Sequence, residues 1–212
     1  MRRTILAIAV IALLASPLHA QDAHTLAQKV DAHYNHLQSF QAEYAEHYTG
    51  MGIDRTETGT LLLKKPGRMR WSYNEPAGKL FVLDGKFAWF YTPGDAQAQR
   101  IPAKRLDDLR SPLRFLLGHT QLEKELPGLT ITPDGSNFTL AGVPKGMEQR
   151  IHALSLTVNA DGVIQRIRLE ETDGAVTEFA FTSIHENVPV SDAEFTFHAP
   201  EGVEIVDGMP PI

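Results

Sequence analysis

Few side chains in this 212-residue chain are placed to perform chemistry. His33 and His36 stand three apart on a predicted helix, a spacing that can ligate a metal. No carboxylate pattern completes such a site, so solvated helix surface is the weightier reading and no metal is expected. Glu170 and Glu171 are adjacent, but neighbouring strand residues point to opposite faces and cannot share a site. Glu43 and Asp54 have no evident partner, and His24, His47, His119, His152, His185 and His198 are scattered. The sequence holds no Gly-x-Ser-x-Gly elbow, phosphate loop, dinucleotide glycine fingerprint or His-Glu-x-x-His pair. With no cysteine, thiol catalysis and zinc-thiolate sites are excluded. The surplus is of another kind. Met69, Trp71 and Tyr73 alternate with Arg68, Arg70 and Ser72, which is binding material rather than bond-breaking material. The expectation is a binding protein without catalytic residues or cofactor.

Strands must position these side chains. From Gly59 to Tyr91 the apolar residues alternate, with Leu61, Leu63, Phe81, Leu83, Trp89 and Tyr91 joining Met69, Trp71 and Tyr73. Pro66-Gly67 and the segment Glu75-Pro76-Ala77-Gly78 break the run into strands, and Asp84-Gly85 is predicted as a two-residue hairpin turn. Upstream, Leu26, Val30, Tyr34 and Leu37 form the stripe of an amphipathic helix over Asp22–Gln38, with Asp22 as N-cap. A strand over Phe40–Thr49 puts Phe40, Ala42, Tyr44 and Tyr48 on one parity. Glu46 interrupts that face and so marks an opening or an edge. Ser111-Pro112 starts a short helix in which Leu113, Leu116 and Leu117 share a face. Too short to stand alone, it must lean on the sheet. Further strands follow over Leu129–Thr132, Asn137–Ala141, Ile151–Val158, Val163–Glu170 and Val176–Ile184, with Phe195–Phe197 closing the sheet. The predicted fold is α+β and mainly β: about ten antiparallel strands in serial order, forming one curved open half-barrel with helices against its concave side. Pattern alone leaves two readings of the apolar face open, an ordinary core or a ligand cavity, the core being the weightier. Arg68 and Arg70 read as a solvated strand face.

The N-terminus has the form of a secretory signal. Met1-Arg2-Arg3 is positive, and Ile5–Ala15 is an apolar run too short to span a bilayer, broken by Ser16-Pro17. Cleavage after Ala20 would leave one domain, residues 21–212, soluble and held by packing without disulfides. The full chain has a net charge of −6. Without Arg2 and Arg3, 18 basic residues face 26 acidic ones, a net charge of −8. That balance argues against a nucleic-acid partner.

Together these residues resemble the periplasmic outer-membrane lipoprotein carrier family, the LolA-like proteins. The matching run is Gly59, Leu61, Lys65, Pro66, Trp71, Tyr73 and Pro76, continuing through Val82, Asp84-Gly85-Lys86, Trp89 and Tyr91. Ser39-Phe40, Ser111-Pro112-Leu113, Phe195-Thr196-Phe197 and the segment Pro200-Glu201-Gly202-Val203 also match. The resemblance implies a half-barrel enclosing an apolar cavity under a helical lid, and it favours the cavity reading. It implies a non-enzymatic, monomeric carrier in the periplasm that shields the acyl chains of lipoproteins. Its partners would be acylated lipoproteins, an inner-membrane ABC lipoprotein exporter and an outer-membrane lipoprotein acceptor. The lipid cavity would be Tyr44, Leu61, Leu63, Met69, Trp71, Tyr73, Phe81, Leu83, Trp89 and Tyr91, under a lid of Leu113, Leu116 and Leu117. The family places an arginine before the proline as a lid latch. Lys65 stands there in this chain, and a lysine lacks the planar multi-donor fork, so a less firmly latched lid is expected. A carrier of another lipid (glycolipid, pigment ester or free lipid), a sensing module and a hydrolase remain as alternatives.

Overall fold

A computed structural model describes residues 22–107, 116 and 121–208. Helix α1, Ala23–His36, starts where Asp22 accepts the Thr25 amide at 2.7 Å, the cap expected from the sequence. It ends two residues before the predicted boundary, at an extended Leu37. Leu26, Val30, Tyr34 and Leu37, its apolar stripe, are buried.

Twelve strands form one sheet: β1 Ser39–Gly50, β2 Ile53–Lys64, β3 Arg68–Tyr73, β4 Leu80–Leu83, β5 Phe87–Tyr91, β6 Gln97–Pro102, β7 Thr130–Asp134, β8 Asn137–Gly142, β9 Ile151–Val158, β10 Ile164–Glu171, β11 Val176–Glu186 and β12 Glu204–Asp207. The sheet is mainly antiparallel, curved and unclosed, an open half-barrel in an α+β fold. Its order corrects the serial arrangement. One meander, β1 to β6, and a second, β7 to β11, are joined through β1 and β11, and β12 pairs with β6 in parallel at one margin. One strand boundary also moves. β2 begins at Ile53, because β1 and β2 pair in full register from Ser39↔Lys64 to Gly50↔Ile53. Met51 and Gly52 make the turn between them, both at positive φ, 52° and 78°. The first half of β2 escapes periodicity because Asp54, Arg55, Thr56, Glu57 and Thr58 carry no apolar alternation. The loop between β4 and β5 holds three residues rather than two. Asp84 Oδ1 accepts the amides of Lys86 and Phe87, each at 2.7 Å, and this side-chain bridging sets the loop length.

The C-terminal segment is also corrected. Phe195–Phe197, expected to close the sheet, is not a strand: Phe195 ends a 3-10 turn, Asp192–Phe195, capped by Ser191.

The connection between β6 and β7 starts near one margin of the sheet and ends at the other, so it must cross a face. Its described parts are helix α2 (Ala103–Asp107), Leu116 and helix α3 (Leu122–Glu125). Leu116, Leu122 and Leu126 are fully buried in the same apolar cluster as α1 and the sheet. The face so covered is called the inner face below. The Leu122 amide donates to the Asp31 carboxylate, both N···O distances being 3.1 Å, and joins α3 to α1. α1 is fixed in turn to the second meander. The Ile164 amide donates to Tyr34 Oη at 3.1 Å, and Lys29 Nζ donates to the Ala160 carbonyl at 2.8 Å. The β9–β10 turn approaches α1 so closely that a Cβ on Gly162 would lie 2.8 Å from the Lys29 carbonyl carbon, at a φ of 89° that already favours glycine.

Candidate functional site: the inner face of the half-barrel

Pairing across the sheet decides which side chains share the inner face, since directly opposed residues project the same way. Leu61, Trp71, Phe81 and Phe90 form one row, and Leu63, Met69, Leu83, Ala88 and Ile101 the next. Tyr44 pairs with Gly59 on one side and Phe181 on the other, which brings the second meander into the same surface. Eight of the ten predicted cavity residues therefore converge. Tyr44, Leu61, Leu63, Met69, Trp71 and Leu83 are buried; Tyr73 and Phe81 are half-buried.

Trp89 and Tyr91 do not belong with them. Trp89 pairs with Val82 and Arg100, and Tyr91 with Leu80, so both project from the outer face. There Trp89 stacks on Phe197 with centroids 5.2 Å apart, and its indole N–H donates to Asp84 Oδ2 at 2.8 Å. Tyr91 lies 6.2 Å from the same ring. The C-terminal segment partly covers this outer patch, so the aromatic stripe of β5 marks a second, half-buried layer rather than the first. Arg68 and Arg70 hold that segment instead of pointing into free solvent. Arg70 Nη1 donates to the Glu194 carbonyl at 3.1 Å, and Arg68 pairs with Asp192 at 3.4 Å. Asp192 also accepts from Lys64 Nζ at 2.6 Å, and this bond holds its carboxyl below the usual range.

The centre of the inner face is an aromatic cluster. Tyr44 meets Trp71 edge-on at 4.4 Å and Tyr73 at 5.9 Å, and Trp71 lies 5.6 Å from Phe179. The Trp71 indole N–H points at Met69 Sδ, 2.8 Å away. Gly59 makes room for this packing: a Cβ there would lie 2.0 Å from the Ser72 carbonyl oxygen and 2.9 Å from Tyr44 Cε1. Phe179, Phe181 and Phe90 are inner-face residues absent from the sequence-predicted set. The alternation of Phe179 with Phe181 was visible, but their pairing with β1 spans more than 130 positions and carries no local signal.

Beyond Tyr44 the face turns polar. Glu46 and Glu57 are directly opposed across β1 and β2, and both are largely shielded, 16% and 15% exposed. Lys79 Nζ donates to Glu57 Oε1 and sits 4.1 Å from the Tyr73 ring centroid. Arg55 approaches Glu46 and Glu57 at 4.0 Å each. Burial, and then the neighbouring Glu57, push the Glu46 carboxyl above its ordinary range. The interruption at Glu46 thus marks where β1 and β2 turn polar, while in the same row Phe179, Ile167 and Leu156 carry the apolar face on across the second meander. Tyr44 Oη is buried with no hydrogen-bond partner among the described residues. Burial is the first cause that raises its phenol, followed by Tyr73, Glu46 and Glu57.

Lys65 Nζ donates to the Tyr34 carbonyl in the last turn of α1, where helix carbonyls lack partners of their own. Burial lowers this ammonium's pKa. The contact described is therefore with α1. Leu113 and Leu117 of the predicted lid lie outside the described residues, as do Ser111 and Pro112; Leu116 is fully buried in the core cluster. Among the described residues no group of three or more His, Asp or Glu is placed to hold a metal, and no helix is long and apolar enough to cross a membrane.

Fold and site define a one-sheet half-barrel with an apolar inner face packed under helices. The chain belongs to the outer membrane lipoprotein carrier protein LolA family, whose model matches residues 35–198. It is 27% identical to the outer-membrane lipoprotein carrier protein of Nitrosomonas europaea over 200 residues, covering 92% of this chain and 94% of that one. It is 30% identical to the protein of the same name from Sodalis glossinidius over 198 residues, covering 92% and 93%. An uncharacterized conserved protein from Thermus thermophilus superposes with a TM-score of 0.55 at 16% identity, over 88% of this chain and 99% of that one, a likeness of fold alone.

Proposed function

We propose that this protein carries acylated lipoproteins through the periplasm, sheltering their acyl chains against the inner face of the half-barrel. The carrying observation is that face itself: a surface of Leu, Met, Trp, Tyr and Phe drawn from both meanders, closed by helical segments rather than by a second sheet. Membership of the LolA family and the names of its relatives support the choice of cargo.

The energetics suit the task. Each methylene buried is worth about 0.8 kcal/mol, so a long acyl chain cannot leave a membrane for water unaided. An open apolar half-barrel would hold such a chain too firmly to release it. A cover that occupies the same surface when the chain is absent offsets part of that affinity, so loading and opening become one event. Leu113, Leu116 and Leu117 supply the cover in this reading, and Lys65 limits its travel by holding α1. Residues 1–20 act as the export signal, leaving residues 21–212 as the working, monomeric domain. An inner-membrane ABC exporter of lipoproteins loads the carrier, and an outer-membrane acceptor unloads it. The protein breaks no bond in this cycle.

Two measurements test the reading. The purified protein should release a labelled acylated lipoprotein from inner-membrane vesicles bearing such an exporter, and should bind an apolar fluorescent probe. Trp71→Asp, which puts a carboxylate in the centre of the inner face, should abolish both. Release and binding that are absent from the wild type, or unchanged in the variant, would remove the carrier reading.

A further inference from the structure

Beside the aromatic cluster of the inner face, polar atoms stand without hydrogen-bond partners among the described residues. Tyr44 is 3% exposed, and its hydroxyl has no hydrogen-bond partner among the described residues. Desolvating an unpaired hydroxyl costs about 1–3 kcal/mol, and a phenylalanine would fill the same ring space without that cost. The ring cannot swing away to find a partner, since Trp71 at 4.4 Å, Tyr73 at 5.9 Å and the strand at Gly59 enclose it. Two residues further along the same face is Glu46, opposed by Glu57, an arrangement of like charges that weakens the strand pair. Lys79 answers Glu57 and is held over the Tyr73 ring. Glu46 has Arg55 at 4.0 Å and the Lys79 charge nearby, and its carboxylate accepts no hydrogen bond among the described residues. A hydroxyl that can accept or donate and a carboxylate that accepts thus stand two residues apart on one face of β1, with the apolar Phe179 and Phe181 opposite them on β11.

We propose that Tyr44 Oη and the Glu46 carboxylate form a subsite for an N–H donor, amide or ammonium, at the polar junction of an acyl-chain ligand. The chain itself lies along Trp71 and Phe179. This rests on the carrier reading and adds to it the recognition of the group to which the chains are attached. The chemistry sets the ligand class. A plain hydrocarbon satisfies neither oxygen. An ester offers only acceptors, which the Tyr44 hydroxyl can use and Glu46 cannot. A secondary amide pairs with both, its N–H donating to Glu46 and its carbonyl accepting from the Tyr44 hydroxyl, and an ammonium can donate to both.

Displacement of a bound apolar fluorescent probe by three ligands of equal chain length tests the subsite. The ligands are N-methyldodecanamide, N,N-dimethyldodecanamide, which lacks the N–H, and dodecylammonium. In the wild type the N-methyl amide should bind about five- to tenfold more tightly than the dimethyl amide, the net worth of one hydrogen bond. That ratio should fall to about one in Glu46→Leu, which removes the acceptor of the N–H, whereas Tyr44→Phe should weaken both amides by a similar factor, since each keeps the carbonyl that the hydroxyl serves. Tyr44→Phe should not lower the thermal midpoint, because the hydroxyl it removes has no protein partner. If dodecylammonium binds best and loses that lead in Glu46→Leu, the donor is an ammonium; if the N-methyl amide binds best, it is an amide. Equal binding of the two amides by the wild type overturns the proposal, as does a ratio that survives in Glu46→Leu or amide binding that is unchanged in Tyr44→Phe. Failure of all three ligands to displace the probe would instead remove the carrier reading on which the subsite stands.

Discussion

Leu116→Ala should weaken the fold and strengthen ligand binding at the same time. Leu116 is fully buried in the cluster that joins the helices to the inner face. Truncating a buried leucine to alanine costs about 2.7–5 kcal/mol, from lost transfer energy and the cavity left behind. That cost falls on the covered form. An acyl ligand that must first displace the cover meets a smaller penalty in the variant, so its apparent dissociation constant falls as the competent fraction rises. At the lower end, 2.7 kcal/mol corresponds to about a hundredfold, an upper bound reached only if the entire loss sits in the contact that the ligand replaces. A tenfold gain in probe affinity alongside a clearly lower urea midpoint is the expected result. Probe titration and urea unfolding, on the same preparations, read the two effects separately. If affinity falls in step with stability, cover and ligand do not compete, and Leu116 is ordinary core.

Two further outcomes follow from the geometry. Gly59→Ala sets a Cβ 2.0 Å from the Ser72 carbonyl and 2.9 Å from Tyr44. The backbone neighbour cannot yield, so the variant should lose at least about 3 kcal/mol by urea unfolding, near the limit for single substitutions; a loss under 1 kcal/mol would contradict the packing. His24 lies 2.9 Å from Glu123 on α3, and this hydrogen bond raises the imidazole's pKa above the ordinary 6.5. The stability it contributes is fully present below pH 6.5 and is lost as pH rises through the raised value. Thermal midpoints of the wild type and His24→Ala should therefore differ most at pH 5–6 and converge at alkaline pH; a gap that widens with pH would refute the pairing.

Much of the fold was legible because local rules suffice for it. The stripe of α1, its Asp22 cap and the alternation of β3 each follow from a few neighbouring residues. Registers between distant strands do not. Nothing local says that Tyr44 faces Phe181, and so the second meander's share of the inner face was missed. Trp89 and Tyr91 failed for a different reason. Alternation finds an apolar stripe but not the side on which it is buried, and β5 is covered on both sides, by the helices inside and by Phe197 outside. The polar end of the inner face was legible only at Glu46. Its partner Glu57 sits in a stretch of β2 with no periodicity, and the unpaired hydroxyl of Tyr44 is a matter of three dimensions.

The link between β6 and β7 is anchored at opposite rims of one continuous sheet, like a strap buckled at both ends. Between those rims Leu116, Leu122 and Leu126 are sunk into the core. Whatever spreads the two edges of the sheet must therefore also pull on the leucines at its middle, so rim and centre form one mechanical unit.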